Sequence, residues 1–243
     1  MGVHTLHVLM HKDELNAEQA SGSAVVVLDV LFATSTIATA LHNGATEVFP
    51  VLDADEALKV GEELGGDCVL AGEKNALPIP GFAPALPLAL LQVGLSGKRL
   101  VYSTTNGTVG LRRAERARAV VAGSLLNGDA VARYLVERHP DAPVLLVCAG
   151  SAGRFNLEDF YGAGYLVRQL QARAPGRFLL TDAALAALGL FNNPALTPEE
   201  CLLGSRVGRR ASEWGLADEV RHAATPGLLQ VVPVLHGRSL RAV

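Results

Sequence analysis

The sequence predicts an α/β fold of three layers, α/β/α, with helices on both faces of a mostly parallel or mixed sheet. Three observations carry this. Short runs of Val, Leu and Ile alternate from end to end with segments of helical period, the pattern of successive βαβ units. Right-handed crossovers between such strands place helices on both faces of the sheet. The chain has 243 residues, 49% of them hydrophobic and 19% charged, enough apolar material for a sizeable core.

In chain order, residues 24–30 read as a buried strand and 33–43 as a helix closed by Gly44. A second strand over 47–52 precedes a helix over 54–64 that stops at Gly65 and Gly66. A third strand over 68–71 leads into an irregular Pro/Gly-rich stretch, 72–87, the candidate hinge or lid because it exceeds an ordinary connection. Next come a strand at 99–103, a helix at 109–114, a strand at 119–122, a helix at 128–138 and a strand at 144–147. Helices follow at 157–173, 182–188 and 198–203. Residues 231–235 read as a last strand or, because of Pro233, as a short apolar loop. We expect one compact unit over 1–243, with room for a division into two similar lobes near residue 115.

Composition excludes several function classes. Net charge is −3, no basic block occurs and aromatic residues make up 5%, which argues against a nucleic-acid groove. Cys68, Cys148 and Cys201 are too few and too scattered for a disulfide framework or a zinc knuckle, so a reducing cytoplasm is expected. The stretch before Asp13 has no apolar segment of signal-peptide type. The longest apolar run, 86–93, is broken by Pro87 and Gln92 and is too short to span a bilayer. Its Leu-rich part, 86–91, permits a homodimer if it is exposed.

In an open parallel sheet, ligands bind outside the carboxyl ends of the strands. Four such ends carry unusual polar content. The first is Asp29, followed by Thr34, Ser35 and Thr36 at the start of a helix. The second is Ser103, Thr104, Thr105, Asn106, Gly107 and Thr108, between a strand and a helix. Free N–H groups and a positive dipole end there suit a phosphate, and Gly107 lets the backbone approach it; a simple helix cap is the plainer reading. The third runs from Cys148 through Gly150, Ser151 and Gly153 to Arg154, with Glu158 and Asp159 following. The fourth is Glu73 and Lys74.

Each acid also has a plain structural reading, as a strand-end, helix-dipole or solvated loop charge. Their convergence on one rim predicts a phosphate site with a divalent metal. Asp29, Glu73, Glu158 and Asp159 are the candidate ligands, and Mg²⁺ is the cation that hard oxygen ligands suit. The metal would neutralise charge, while Asp29, Glu158 and Asp159 would hold it or orient the attacking water. Lys74 or Arg154 would offset substrate charge. A competing chemistry lies in the third junction: five residues separate Cys148 from Arg154, the spacing of a cysteine-phosphatase loop with a thiolate nucleophile. No second acid follows Asp29 at position 31, and no Gly-x-Gly-x-x-Gly or Walker-type loop occurs.

With these residues assembled, the chain resembles the 2-phosphosulfolactate phosphatase family over nearly its full length. The resemblance rests on the run from Val25 through Asp29 to Leu41, on Ala71 to Asn75, on residues 103–108, and on Cys148 to Gly150 with Phe155 to Gly164. It implies Mg²⁺-dependent hydrolysis of the phosphate ester of a sulfonated hydroxy acid, a small-molecule substrate linked to coenzyme M biosynthesis. Three departures stand out. Phe32 replaces an arginine of the family pattern, Lys74 replaces another, and the stretch from Ala83 to Leu88 lacks the usual Asp and Asn. Losing an arginine removes a bidentate partner for an oxyanion. A second reading follows: the fold and anion pocket kept, catalysis lost, and a binding or regulatory role.

Overall fold

The computed structural model describes residues 2–243. The chain begins with β1 (His4–Leu9), a 3-10 turn (Lys12–Glu14) and α1 (Ala17–Ser21). Then come β2 (Ala24–Leu28), α2 (Ala33–His42), β3 (Glu47–Val51), α3 (Ala54–Leu64) and β4 (Cys68–Lys74). The next elements are β5 (Leu77–Pro78), α4 (Pro87–Leu91), β6 (Arg99–Ser103), α5 (Gly107–Arg113) and β7 (Ala119–Gly123). They are followed by α6 (Gly128–Arg138), β8 (Val144–Cys148), α7 (Leu157–Arg173), β9 (Phe178–Leu180) and α8 (Asp182–Phe191). The chain closes with α9 (Pro198–Gly204), α10 (Arg206–Glu213), α11 (Ala217–Ala223), β10 (Pro233–His236) and β11 (Ser239–Ala242).

One sheet holds the strands in the order β5-β4-β6-β3-β11-β10-β7-β2-β8-β1-β9. Two parallel groups, β4-β6-β3 and β7-β2-β8-β1-β9, are joined through the antiparallel hairpin β10-β11. The hairpin touches each group through a single register pair, Val234 with Val121 and Leu240 with Val48. The sheet is therefore mixed, and the three-layer expectation holds.

Side-chain alternation explains the layers. In β2, Ala24, Val26 and Leu28 pack into one core with α6, α7 and α8, while Val25 and Val27 face α2 and α5 on the other side. In β6, Leu100 and Tyr102 share the α2 side and Val101 meets α3 through Ala57 and Val60. A strand buried on both faces reads as a continuous apolar run, which is why β2 and β8 were legible. Helix starts are equally local. Asp53 accepts from the Glu56 N–H at 2.8 Å, and Thr197 with Glu200 forms a capping box behind Pro198.

The structure differs from the sequence reading in places. β1, β5, β9, β11, α1 and α4 were not anticipated, and each is short or polar on one face. The 72–87 stretch is not wholly irregular. Asn75 and Ala76, with φ of 55° and 65°, make the two-residue turn between β4 and β5, the backbone shape of a type I′ hairpin. Residues 86–91 are not an exposed dimerisation strip: Pro87 and Leu90 are buried, and the buried Glu219 accepts from the Leu88 and Ala89 N–H groups at 2.7 and 2.8 Å. A carboxylate spanning the first turn of α4 satisfies donors that the helix itself leaves free.

α7, which carries Glu158 and Asp159, is seated by close helix contact. A Cβ at Gly164 would lie 2.1 Å from the Ala187 carbonyl oxygen and 2.8 Å from the Phe191 Cβ of α8. Gly164→Ala is expected to cost about 1–3 kcal/mol, the usual range for overpacking. It would be read as a lower urea midpoint at unchanged slope. Gly189→Ala, whose Cβ meets nothing within 4 Å on α8, is the control and should be neutral or slightly stabilising. Equal midpoints for the two variants would refute this account of the α7–α8 contact.

Candidate active site

Loops from both parallel groups enclose a cavity of about 440 Å³. Asp29, immediately after β2, lies on its wall and is 6% exposed. The start of α5 reaches this acid because residue 107 has no side chain: a Cβ there would sit 2.4 Å from the Ala33 Cβ and 2.8 Å from Asp29 Oδ2. Burial, with Glu73 and Glu158 nearby, pushes the Asp29 carboxyl up to about 7, against the Ala33 N–H and Lys12. Thr34, Ser35 and Thr36 are buried, and their hydroxyls donate to backbone carbonyls. Thr34 bonds the Asp29 carbonyl at 3.0 Å, Ser35 the Val30 carbonyl at 2.8 Å, and Thr36 the Phe32 and Ala85 carbonyls at 2.9 and 3.2 Å. They brace the Asp29 turn.

The 103–108 stretch divides its work. Ser103 and Thr104 are buried, and Thr104 and Thr108 cap each other. Each N–H donates to the other's hydroxyl, at 3.1 and 3.2 Å, and the Thr108 hydroxyl donates to the Thr104 carbonyl at 2.9 Å. Glu73 clamps Thr105, accepting from its N–H at 2.6 Å and its hydroxyl at 3.1 Å, and also accepts from the Ala76 N–H. Among the described residues, the N–H groups of Asn106 and Gly107 have no protein acceptor. Thr104, Thr105 and Asn106 line the cavity.

Behind the cavity lining rather than on it, α7 carries two buried acids with different surroundings. Asp159 Oδ1 accepts from the Val30 N–H at 2.9 Å, and Oδ2 accepts from the Gly150 N–H at 3.1 Å and Asn156 Nδ2 at 3.4 Å. Glu158 is 1% exposed, and neither carboxylate oxygen has a partner at full hydrogen-bond geometry among the described residues, although the Ser205 hydroxyl lies near enough to favour its charge. Burial raises the pKa of both acids. Asp29 and Glu158 raise Asp159 further, while at Glu158 its own backbone N–H, the Ser205 hydroxyl and then Arg206 act against the rise.

Several cations were placed differently by the sequence reading. Lys12, on the 3-10 turn after β1, is 7% exposed and donates to Asn106 Oδ1 at 3.0 Å and to the Ala149 carbonyl at 2.8 Å. Burial lowers its pKa, with Asp29 and Asp159 among the charges opposing that. No motif flagged it, because a lone lysine in a polar N-terminal stretch resembles any surface charge. Arg206 and Arg210 of α10 also line the cavity. Lys74 and Arg154 do not; both side chains are exposed outside it.

The Cys148 alternative is corrected by its environment. The side chain is wholly buried in the core under α7, does not reach the cavity, and burial pushes its thiol well up, with Asp159, Glu14 and Glu158 adding to the rise. A thiol so placed is not a poised nucleophile.

For a cation, the donor set must be separated by what each acid already does. Glu73 and Asp159 have both oxygens engaged by N–H donors, so they brace loops. Asp29 faces the cavity, and the orphaned oxygens of Glu158 are what a buried carboxylate shows when its partner is a cation or a proton. Among the described residues no three His, Cys, Asp or Glu side chains form a ready-made cage. Asp29 and Glu158 fit a cation that takes one or two carboxylates and completes its shell with water and phosphate oxygens, the habit of Mg²⁺.

The raised acids set a pH dependence. The folded protein holds the Asp29 proton up to about 7, against 3.8 ordinarily, so the unfolded chain releases it first. Stability from this group is full below about pH 4 and is lost as pH rises through 7. With chelator present, wild type should lose up to about 4 kcal/mol relative to Asp29→Asn between pH 4 and 8. Urea unfolding across that range measures it, and Mg²⁺ should reduce the difference. Parallel pH curves for the two proteins would show that Asp29 ionises without cost.

Comparisons with known proteins give the family. The family model described as 2-phosphosulpholactate phosphatase matches residues 9–238. A relative from Carboxydothermus hydrogenoformans named "Probable 2-phosphosulfolactate phosphatase" is 40% identical over 239 residues, covering 98% of this chain and 96% of its own. Relatives of the same name from Clostridium acetobutylicum and Thermotoga petrophila are 35% and 41% identical, covering 94% and 86% of this chain and 96% and 88% of theirs. The chain belongs to the 2-phosphosulpholactate phosphatase family of phosphoric monoester hydrolases.

Proposed function

We propose that this chain is a cytoplasmic, Mg²⁺-dependent phosphatase that hydrolyses 2-phosphosulfolactate, or a closely similar small phosphoester, to the hydroxy acid and phosphate. The observation that carries the reading is the pair of Asp29, its carboxyl raised on the wall of the cavity, and Glu158, buried behind that wall within electrostatic reach of it and without a partner at full hydrogen-bond geometry. Relatives that match almost end to end bear the name of this activity.

Asp29 and Glu158 are the residues that would hold Mg²⁺. The bound cation would neutralise phosphoryl charge and acidify a water. The chain's own residues do the positioning. The Asn106 N–H, at the cavity lining, and the Gly107 N–H beside it offer free donors to the phosphoryl oxygens. Lys12 fixes Asn106 from behind and places positive charge near a cluster of acids that would otherwise repel the substrate. Glu73 and Asp159 keep the two loops at a set spacing, so the phosphoryl group arrives against donors that need no rearrangement. Phe32, Leu31 and Leu86 form an apolar wall that limits water at the site.

Phosphate release from 2-phosphosulfolactate measures the proposal. Activity should require Mg²⁺ and disappear with EDTA, and Glu158→Gln should lower kcat by at least about 100-fold. Cys148→Ala should remain within a few-fold of wild type. Release that survives chelation, or that depends on Cys148, would sink the metal mechanism. No release from any phosphorylated hydroxy acid would instead support the anion-binding reading.

A further inference from the structure

The cavity wall has an apolar sector that the phosphoryl chemistry leaves unused. Phe32, Pro84, Leu86, Val207, Trp214 and Leu216 all line it. They come from three places: the turn before α2, the stretch before α4, and α10 with the residues after it. Each keeps accessible surface, and Trp214 is 46% exposed. Apolar side chains left open inside a concavity are the ordinary lining of a small-molecule site. On α10 the spacing is that of one helical face, since Val207, Ala211 and Trp214 follow at i, i+4 and i+7.

The polar groups around this sector are already engaged. The Ala85 carbonyl accepts from the Tyr102 hydroxyl at 2.9 Å and from the Thr36 hydroxyl at 3.2 Å. The Leu88 and Ala89 N–H groups donate to Glu219. Arg206 is tied to Ser151 and Asn156 and acts on Glu158, so it belongs with the acids. Arg210 lies over the Trp214 ring, 4.4 Å from its centroid, as a cation–π partner. The sector therefore offers contact area more than hydrogen bonds. It shares one cavity of about 440 Å³ with Asp29 and Asn106, a volume that encloses a drug-sized ligand.

Resting on the phosphatase reading, we infer that the cavity takes a second substrate class: phosphomonoesters of hydroxy acids that carry an aromatic group, which packs on Trp214 and Phe32 while the phosphoryl group meets the donors at the start of α5. The reaction is the same hydrolysis. Water adds its oxygen to phosphorus, the ester P–O bond breaks, and the alcohol oxygen leaves with a proton, so no further reactant is needed. A buried phenyl group adds apolar contact, and edge or offset pairing with the indole, that a methyl group does not supply.

Two pairs of compounds that differ only by a phenyl group test the inference. Neither benzylphosphonate nor methylphosphonate has an ester bond to hydrolyse. By calorimetry, the first should bind the Mg²⁺-loaded protein about 10- to 100-fold more tightly than the second. Trp214 is the sole tryptophan, so benzylphosphonate, unlike methylphosphonate, should shift its emission to shorter wavelength as the ring loses water. Among substrates, 2-phospho-3-phenyllactate should exceed 2-phospholactate in kcat/KM by a similar factor, carried mainly by KM. Trp214→Ala should lower the phenyl preference about 3- to 10-fold in both pairs, and Trp214→Phe should keep most of it. Equal affinity for the two phosphonates, an emission that benzylphosphonate does not move, equal kcat/KM for the two phosphoesters, or a preference untouched by Trp214→Ala would each overturn the inference. Phosphate release from 2-phosphosulfolactate would survive all four outcomes. Tight, Trp214-dependent benzylphosphonate binding with no release from any phosphoester would uphold the apolar pocket and sink the phosphatase reading on which the substrate class rests.

Discussion

Asp159 is the joint on which the site depends. One carboxylate, wholly buried, takes the Val30 N–H after β2 and the Gly150 N–H after β8, two loops that belong to adjacent parallel strands. Neither N–H has a place in the ladder beyond its strand end, and a buried donor left unpaired costs about 1–3 kcal/mol. Meeting both with one acid fixes the spacing of the loops that bear Asp29 and Ser151. Glu73 does the same for the other parallel group, holding Thr105 and the β4–β5 turn. The cavity is shaped by these two braces, and the residues left free inside it are the ones available for chemistry.

Concentrating acids in this way has an electrostatic consequence. Asp29, Glu158 and Asp159 are all pushed up by burial, and Asp29 and Asp159 also by other acids around them. Lys12 answers only part of this, since it is a single ammonium already shared between Asn106 and Ala149. Carboxyl groups so buried either keep a proton at neutral pH or ionise beside a cation. The same crowding that disfavours the bare acids therefore favours a divalent ion when one is offered.

Much of this was legible in the sequence, for a physical reason. Strands buried on both faces, such as β2 and β8, leave unbroken Val and Leu runs, and ligand-bearing loops follow their carboxyl ends. Asp29, Glu73, Glu158, Asp159 and residues 103–108 were found because each interrupts such a run with polar groups. What was missed lacks that contrast. Lys12 follows a strand with polar neighbours, β9 has three residues, and Arg206 and Arg210 lie in a strongly charged helix among ordinary surface residues. The roles within the acid set were also hidden. Sequence presents Glu158 and Asp159 as neighbours of equal standing, yet adjacent helical positions point in different directions. One became a brace and the other an orphan.

That division bears on how the family's missing arginine at position 32 is to be understood. Phe32 is partly buried against the core around α7 and also lines the cavity, so it extends the apolar wall. Across the space stand Val207 and Ala211 of α10, alternating with Arg206 and Arg210 along the same helix. The guanidinium groups that do line the cavity are those of Arg206 and Arg210. A guanidinium tied at one nitrogen to Ser151 and Asn156 is coupled, through Asn156, to Asp159 itself. The loop after β8 is thereby held from α7 and α10 together, through the one side chain of Asn156, and the wall of the cavity on that side is set by both helices.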